Sequence, residues 1–383
     1  MHLDKQIIAE YNRGCVLELV AKKGPINRSE IARQLKLSIP TIMKIADEFS
    51  AAGIFRITGK GESAGGKRPE LYEVVRDAYS CIGVDVGRSK INILLVDLLG
   101  GVVDRHITDT IGLKRPEEFV EVINNVVEEI IQTNKVQMEK LIGIGIGIPG
   151  IIDKTNGMVL YSPDFDWENI DILTPIHNKF KKQVAIENSN RTMALGEQWI
   201  GAGANANNIF CINVGHGIGA AILDRDKIYT GSSGSSGEFG HTVMIKDGPL
   251  CDCGNRGCLE AVASGNAIAK KMGKREAKEV FDLMRQGNTE AAEIIKEAME
   301  YLGIGIAGAI NLLDPDMCIL SGGVIKSYDL FQEDLINCIK AHQMKFVGRN
   351  VKIRVGELGE NASAIGAANL LLKRFRDLGG QIG

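Results

Sequence analysis

The chain has 383 residues, of which 44% are hydrophobic and 24% charged, and its net charge is −3. This composition is typical of a folded globular protein and excludes a disordered or fibrous chain. The length predicts two or three domains. No apolar run approaches about 18 residues, so we expect no membrane span. The N-terminus lacks an apolar signal segment, so we expect a cytoplasmic protein.

The net charge conceals an asymmetry between the two ends of the chain. Residues 1–76 contain 13 Lys and Arg against 9 Asp and Glu, whereas the remainder contains 32 against 39. A basic end on an acidic body is typical of a protein that binds a polyanion at that end. An excess of four positive charges in 76 residues is modest and also arises by chance, and charge alone favours that second interpretation.

The N-terminal residues carry the pattern of a helix-turn-helix. Asn27 followed by Glu30 fits the start of a second helix, and Ser38 fits the cap of a third helix after the short turn 36–38. Gly53 ends that third helix. The apolar stripe of the first helix, at helical spacing, consists of Ile7, Ile8, Tyr11, Cys15 and Leu19. The buried face of the third helix is predicted at Ile42, Ile45 and Phe49.

Two predicted strands, 54–58 and 71–74, flank a glycine-rich basic loop. Such a loop can follow a DNA groove and neutralise phosphates, while the start of the third helix meets base edges. We therefore predict a winged helix. Its predicted DNA-binding residues are Thr41, Lys44, Lys60, Lys67 and Arg68. The alternative is a small helical protein-interaction domain with a solvated basic loop.

From residue 79 onward, short Val- and Ile-rich strands alternate with helices and glycine turns. Strands are predicted at 82–86, 91–97, 141–148 and 209–214. The alternation implies an α/β body whose sheet is largely covered by helices. Two similar strand–glycine–strand hairpins, at 83–98 and 213–228, indicate two lobes built on one plan.

Three of the eight cysteines, Cys251, Cys253 and Cys258, lie close together in the sequence, and His241 precedes them by ten positions. In a reducing cytosol, thiols spaced in this way are metal ligands rather than disulfides. Three thiolates and one imidazole complete a tetrahedral zinc site with no open position, which predicts a structural Zn²⁺. The alternative is a buried cysteine cluster without metal.

With these motifs in this order, the chain resembles the ROK family (repressors, open reading frames and sugar kinases), whose repressor branch carries an N-terminal winged helix. The likeness covers nearly the whole chain, and its glycine-containing motifs lie at 83–87, 195–197, 215–219, 237–241, 322–323 and 364–368. It implies an α/β fold in which a winged helix-turn-helix precedes a two-lobed actin-like (ribonuclease H-like) sugar-kinase body. The expected domains are the winged helix (1–76), a small lobe (77–188 plus 366–383) and a large lobe with the zinc site (189–365).

The resemblance also implies a sugar site formed by Asn188, Glu238, His241 and Glu260. An amide and carboxylates can hydrogen-bond sugar hydroxyls bidentately. A zinc-bound His241 can offer its second ring nitrogen to the ligand. For Glu238 and Glu260 the alternative is that they are exposed surface acids.

Departures from the kinases of the family indicate that catalysis is lost. ROK kinases resemble one another in having Glu-Asn-Asp where this chain has Glu187-Asn188-Ser189, and loss of a general base typically costs about 10²–10⁴ in rate. Arg88 and His216 replace a glycine and a threonine of the phosphate loops. The residues of a vestigial nucleotide site are Asp85, Gly87, Gly215, Gly217, Gly322 and Gly323. Alternatively, these six residues only maintain the geometry of the strand–turn–strand segments in which they lie.

We therefore predict a sugar-responsive transcriptional repressor of carbohydrate-utilisation genes. It would bind operator DNA as a homodimer or higher homo-oligomer, since a two-fold protein matches a palindromic site. The first alternative is an ATP- and Mg²⁺-dependent hexose or N-acetylhexosamine kinase with an appended DNA-binding domain. The second is a docking protein that binds partners through its N-terminal domain.

Overall fold

The computed structural model describes residues 5–61, 68–348 and 350–381 of the chain. The chain divides into two units. Unit 1 comprises Met1–Glu187 and Ala367–Gly383, and unit 2 comprises Asn188–Gly366. Within the described residues, no helix combines the length and the apolar character needed to cross a membrane.

Unit 1 begins with a helix-turn-helix and a strand pair. In chain order, its first elements are α1 (Lys5–Lys23), β1 (Ile26–Asn27), α2 (Arg28–Leu35), α3 (Ile39–Ala51), β2 (Phe55–Lys60) and β3 (Glu70–Val74). Asn27 caps α2 by accepting a hydrogen bond from the Glu30 amide, and Ser38 caps α3 by accepting one from the Thr41 amide. The strands pair in the order β1-β3-β2. The two capped helices and the β2–β3 pair form a winged helix, as predicted.

The buried face of α1 is not the predicted stripe. Ile7, Ile8 and Tyr11 are exposed, and the buried side chains of this helix are Val16, Leu17 and Val20. Both sets recur at helical spacing, so periodicity alone cannot choose between them. The second set is buried because α1 packs on β3 and, at Gly14, on the end of the C-terminal helix.

The remainder of unit 1 is built around a mixed sheet. Its elements are β4 (Ser80–Val86), β5 (Lys90–Asp97), β6 (Val102–Asp109), α4 (Pro116–Thr133), β7 (Leu141–Ile148), β8 (Ile151–Asp153), β9 (Met158–Ser162), β10 (Trp167–Asp171), α5 (Leu173–Phe180) and β11 (Gln183–Asn188). The main sheet has the order β11-β7-β4-β5-β6, and β8, β9 and β10 form a separate small sheet. Ile82, Ile93, Ile123 and Ile144 lie in its core.

Unit 2 is built around the second main sheet. Its elements are α6 (Ser189–Ile200), β12 (Asn208–Val214), β13 (Ile218–Asp224), β14 (Lys227–Ile228), α7 (Leu259–Ala263), α8 (Gly265–Lys271), α9 (Ala277–Arg285), α10 (Thr289–Leu313), β15 (Met317–Ser321), α11 (Gln332–His342), β16 (Lys352–Val355) and the start of α12 (Ala362–Asp377). The sheet order is β14-β13-β12-β15-β16. Ile212, Leu302, Ile306 and Leu320 lie in its core.

The two main sheets follow the same plan. In unit 1, β4 pairs antiparallel with β5 and parallel with β7. In unit 2, β12 pairs antiparallel with β13 and parallel with β15. The strand orders correspond from one edge to the other. The predicted fold class, with two related lobes behind a winged helix, is confirmed.

Residues 376–380 complete the core of the winged helix. A Cβ on Gly14 would lie 2.8 Å from the carbonyl oxygen of Arg376, so α1 approaches the end of α12 backbone to backbone. Arg13 Nε donates to the carbonyl of Gly379 at 3.1 Å across 366 positions of sequence. Gly380 packs against Phe49 of α3. The first and last parts of unit 1 therefore share one core.

Two helical glycines of unit 2 differ in what surrounds them, which gives a matched stability prediction. A Cβ on Gly366 of α12 would overlap the carbonyl oxygen of Thr192, whereas a Cβ on Gly308 of α10 would meet no atom within 4 Å. We expect Gly366→Ala to destabilise the protein by about 1–3 kcal/mol, because backbone must move. Gly308→Ala should stabilise it by about 0.5–1 kcal/mol. Thermal unfolding of both variants checks this, and shifts of Tm in the same direction would contradict it.

Candidate metal cluster and effector site

His241, Cys251, Cys253 and Cys258 are brought together in unit 2. One ligand atom from each residue lies within 4.8 Å of the others. Cys251 Sγ is 3.5 Å from His241 Nδ1, and Cys253 Sγ is 3.7 Å from Cys258 Sγ. All three cysteines are free thiols. Three sulfurs and one imidazole nitrogen form a donor set that transition-metal ions take in tetrahedral sites.

Backbone hydrogen bonds and one glycine fold the segment 241–258 into this cluster. The Met244 amide donates to the carbonyl of Gly257 at 2.7 Å, and the Leu259 amide donates to the carbonyl of Thr242 at 2.9 Å. Gly257 has φ of +73°, and a Cβ at this position would overlap Ile245. Only glycine suits both the positive φ and the close approach.

The charge of the cysteine sulfurs depends on whether a cation is bound. Burial raises the pKa of the Cys251 thiol above its usual range, because a thiolate loses hydration there. A bound divalent ion reverses this effect and holds the sulfurs as thiolates. The donor set and its spacing therefore fit a metal ion that joins His241 to the cysteine segment, and all four protein ligands leave no open position for catalysis.

The orientation of His241 connects the cluster to Glu238. Nδ1 of His241 faces Cys251, and Nε2 lies 3.8 Å from Glu238 Oε2. The Glu238 side chain is 58% exposed. A metal on Nδ1 would fix the ring and leave Nε2 directed to the side where Glu238 lies.

Glu260 is held in place by the first residues of β13. Its Oε2 accepts a hydrogen bond from the Ile218 amide at 2.7 Å, and a Cβ on Gly217 would overlap the same oxygen. Gly240 packs against the carbonyl of Ile218. Glu260 therefore lies beside the segment that carries Glu238 and His241. The packing also gives Gly217 a structural role in addition to the phosphate-loop role expected from the sequence.

Asn188 marks the start of α6, and Ser189 is the first residue of that helix. Asn188 Oδ1 accepts a hydrogen bond from the Asn190 amide at 2.9 Å. The Asn190 side chain in turn contacts Gly219 of β13. The structure thus places Glu238, His241 and Glu260 near the start of β13, and Asn188 at the start of α6, whose Asn190 contacts β13. Asn188 and Glu260 already accept backbone hydrogen bonds, from α6 and β13 respectively.

The structure adds Arg191, which the sequence analysis missed. This side chain of α6 is 4% exposed. Its Nη2 donates to the carbonyls of Gly234 and Ser236 at 2.7 and 2.9 Å, directly before Glu238. The sequence carries no signal for these contacts, because backbone acceptors leave no recognisable pattern.

The residues expected to bind nucleotide fall into both units. Asp85 of β4 and Gly87, in the turn after it, belong to unit 1. Gly215, Gly217, Gly322 and Gly323 belong to unit 2, at the carboxyl ends of β12 and β15 and the start of β13. Gly322 has φ of +102°, and its Cβ would lie 2.5 Å from the Val214 carbonyl oxygen. These contacts suit strand–turn packing as well as a phosphate loop.

The predicted DNA-binding residues that the structure describes lie on α3 and at the two ends of the β2–β3 connection, which we name the wing. Lys44 is exposed on α3, and Thr41 is half-buried with its hydroxyl 2.7 Å from Ser38 Oγ. Lys60, at the end of β2, and Arg68, before β3, are both exposed. Lys67 lies outside the described residues.

Comparison with known proteins decides the family. Residues 81–374 match the ROK family. The chain belongs to the ROK family. It is 30% identical over 380 residues to a protein named xylose repressor from Bacillus spizizenii, with 98% of each chain covered. It is 32% identical over 315 residues to a glucokinase from Thermotoga maritima, covering 77% of this chain and 98% of the glucokinase.

The same relationship appears among solved structures. A crystal structure described as a ROK family transcriptional regulator, a homologue of the Escherichia coli MLC protein, superposes with a TM-score of 0.84 at 26% identity and covers 98% of each chain. The matches to the two regulators therefore extend over the winged helix, whereas the family match begins at residue 81, after it. The family resemblance stated from the motifs is confirmed.

If the cluster binds a metal, substitution of a cluster cysteine should reduce metal content, whereas substitution of a cysteine elsewhere should not. Cys258→Ser should lose most of the bound metal and lower Tm, because three remaining ligands no longer complete the tetrahedral site. Cys338→Ser, on α11 and outside the cluster, is the matched control and should keep its metal. Elemental analysis of the purified proteins measures this. Equal metal content in the two variants, or none in the wild type, would contradict the assignment.

Proposed function

We propose that this ROK protein is a sugar-responsive transcriptional repressor of carbohydrate-utilisation genes. The observation that carries the proposal is the extent of the regulator matches, which reach 98% of the chain and so include the winged helix. A winged helix joined to a sugar-kinase-like body couples DNA binding to a small-molecule site. Because one relative is named xylose repressor, D-xylose is the first sugar to test.

In this proposal α3 enters the major groove of the operator. Lys44 is exposed there, and so are the apolar side chains of Ile39 and Met43, which can contact thymine methyl groups. Lys60 and Arg68 bind phosphates beside the wing. The protein binds as a homodimer, which matches two half-sites related by a two-fold axis, and it acts in the cytoplasm, where the operator is.

In this proposal the sugar binds to Asn188, Glu238, His241 and Glu260, and the cluster holds a structural Zn²⁺. Zinc suits a set of three thiolates and one imidazole without an open position. Sugar changes operator affinity only by binding one conformation of the protein more tightly than another. A repressor of this kind is released from DNA when the sugar prefers the conformation that does not bind the operator.

The kinase alternative is favoured by the 32% identity to a glucokinase, and it would require ATP and Mg²⁺. Against it stands Ser189, the first residue of α6, at the position expected for the catalytic Asp. A hydroxyl that is neutral at pH 7 cannot act as the general base that a carboxylate supplies. A coupled ADP-release assay with a panel of sugars distinguishes the two functions, and turnover above the solution background would favour the kinase.

Removal of the Glu238 carboxylate should separate operator binding from sugar response. We expect Glu238→Ala to bind operator DNA with wild-type affinity but to lose release by sugar, because the substitution removes a hydroxyl acceptor. The matched control is Glu333→Ala, which removes an exposed acid of α11. Fluorescence anisotropy of labelled operator, titrated with D-xylose and other sugars, measures both properties. If sugar releases operator DNA from the Glu238 variant as it does from the wild type, the sugar binds elsewhere.

The basic residues beside the wing should contribute electrostatically to the affinity for DNA. Replacing Lys60 and Arg68 with Ala should weaken binding to all DNA sequences and make the slope of log K against log salt shallower by about 2. Replacing Lys352 and Arg354, an exposed basic pair on β16, is the control and should change neither quantity. Operator titrations at several salt concentrations test this. A salt slope equal to that of the wild type would show that these residues do not contact DNA.

A further inference from the structure

Residues 229–237, which we name the effector loop, immediately precede Glu238. The loop consists of one tyrosine, one threonine, four serines and three glycines. Its Tyr229 is 58% exposed, so the loop has no buried apolar side chain that could fix it. Gly231, Gly234 and Gly237 all have positive φ. Ordering such a segment costs much conformational entropy, and something other than hydrophobic packing must offset that cost.

The two ends of the effector loop are fastened to β13. At the first end, the Tyr229 amide donates to the carbonyl of Ile222 at 2.9 Å. At the other end, the Ala220 amide donates to the carbonyl of Gly237 at 3.1 Å. The Ser236 side chain closes the loop on itself by donating to the Tyr229 carbonyl. These bonds fix the ends of the loop but do not reach the carbonyl of Gly234.

Arg191 supplies the contact to the middle of the loop. Its Nη2 donates to Gly234 O at 2.7 Å and to Ser236 O at 2.9 Å. The side chain is 4% exposed, so both bonds are charge-assisted and shielded from water, which makes them stronger than ordinary surface bonds. The planar guanidinium group can donate to several carbonyls at once, and an ammonium group does so with less defined geometry.

Arg191 also contacts the other part of the candidate sugar site. Its backbone amide donates to Asn188 Oδ1 at 3.4 Å, while its side chain holds the loop that leads into Glu238. One residue therefore links the two segments that carry Asn188 and Glu238.

We infer that Arg191 is a positioning residue of the effector site, which orders the effector loop and thereby sets sugar affinity without touching the sugar. The part of this inference that concerns sugar rests on the proposed function. The part that concerns the loop depends only on the contacts of Arg191. When the loop is ordered for only a fraction of the time, apparent sugar affinity falls to that fraction of its value for a fully ordered loop.

The test compares Arg191→Met, Arg191→Lys and the control Arg354→Met, which alters an exposed arginine of β16. Hydrogen exchange of the full-length protein without sugar should show faster exchange in residues 229–237 of Arg191→Met, with α10 and the metal cluster at wild-type rates. D-xylose affinity, by calorimetry, should fall at least about tenfold, as expected for a loop ordered a tenth of the time. Operator affinity and metal content should stay at wild-type values.

The outcomes separate a positioning role from a general structural role. Arg191→Lys should restore Tm more fully than it restores loop protection, because the planar fork is absent. Faster exchange throughout unit 2 with loss of metal would show that Arg191 merely supports the fold and would overturn the inference, as would wild-type exchange in the loop of Arg191→Met. Wild-type protein that binds no sugar of the panel would refute the proposed function, while the exchange measurement would still decide the role of Arg191.

Discussion

Direct contact between backbones, at glycines that leave no room for a side chain, is the constraint on which much of this structure depends. Gly366 of α12 meets Thr192 of α6, and Gly196 of α6 meets Ala362 of α12. In unit 1, Gly145 of β7 meets Ala367 of the same C-terminal helix. Because any Cβ would separate these elements, their distances are fixed by main-chain atoms, which leaves little scope for repacking. The same backbone contacts hold α6, at whose start the candidate sugar site begins.

The parts of the structure that the sequence predicted are those set by nearby residues. The caps at Asn27 and Ser38 act over three residues, and the cysteine spacing constrains the metal cluster within eighteen positions. The buried face of α1 was not predictable in this way, because the C-terminal residues that cover Gly14 lie far along the chain. Arg191 was missed for a related reason. Its acceptors are carbonyl groups some forty residues away, and any sequence there supplies carbonyl groups.

The candidate site also shows how a kinase-like frame can serve a regulator. The glycine turns of unit 2 have packing roles of their own, as Gly217 does for the Glu260 carboxylate. These packing contacts are made by the protein itself and do not depend on a bound nucleotide. The chemical differences that we expect to separate the two functions lie at Ser189, at the start of α6, and at Arg88 and His216. Fold therefore places this chain in its family, and the site decides between the activities found there.

The contact between Arg13 and Gly379 has a consequence for synthesis of the protein on the ribosome. The winged helix is made well before one wall of its core, which is supplied by residues that lie 366 positions later in the chain. A nascent chain therefore carries an incompletely packed DNA-binding region until translation reaches the end of α12. Chains that stop before residue 380 lack that wall, so their winged helix should be less stable than that of the longer chain.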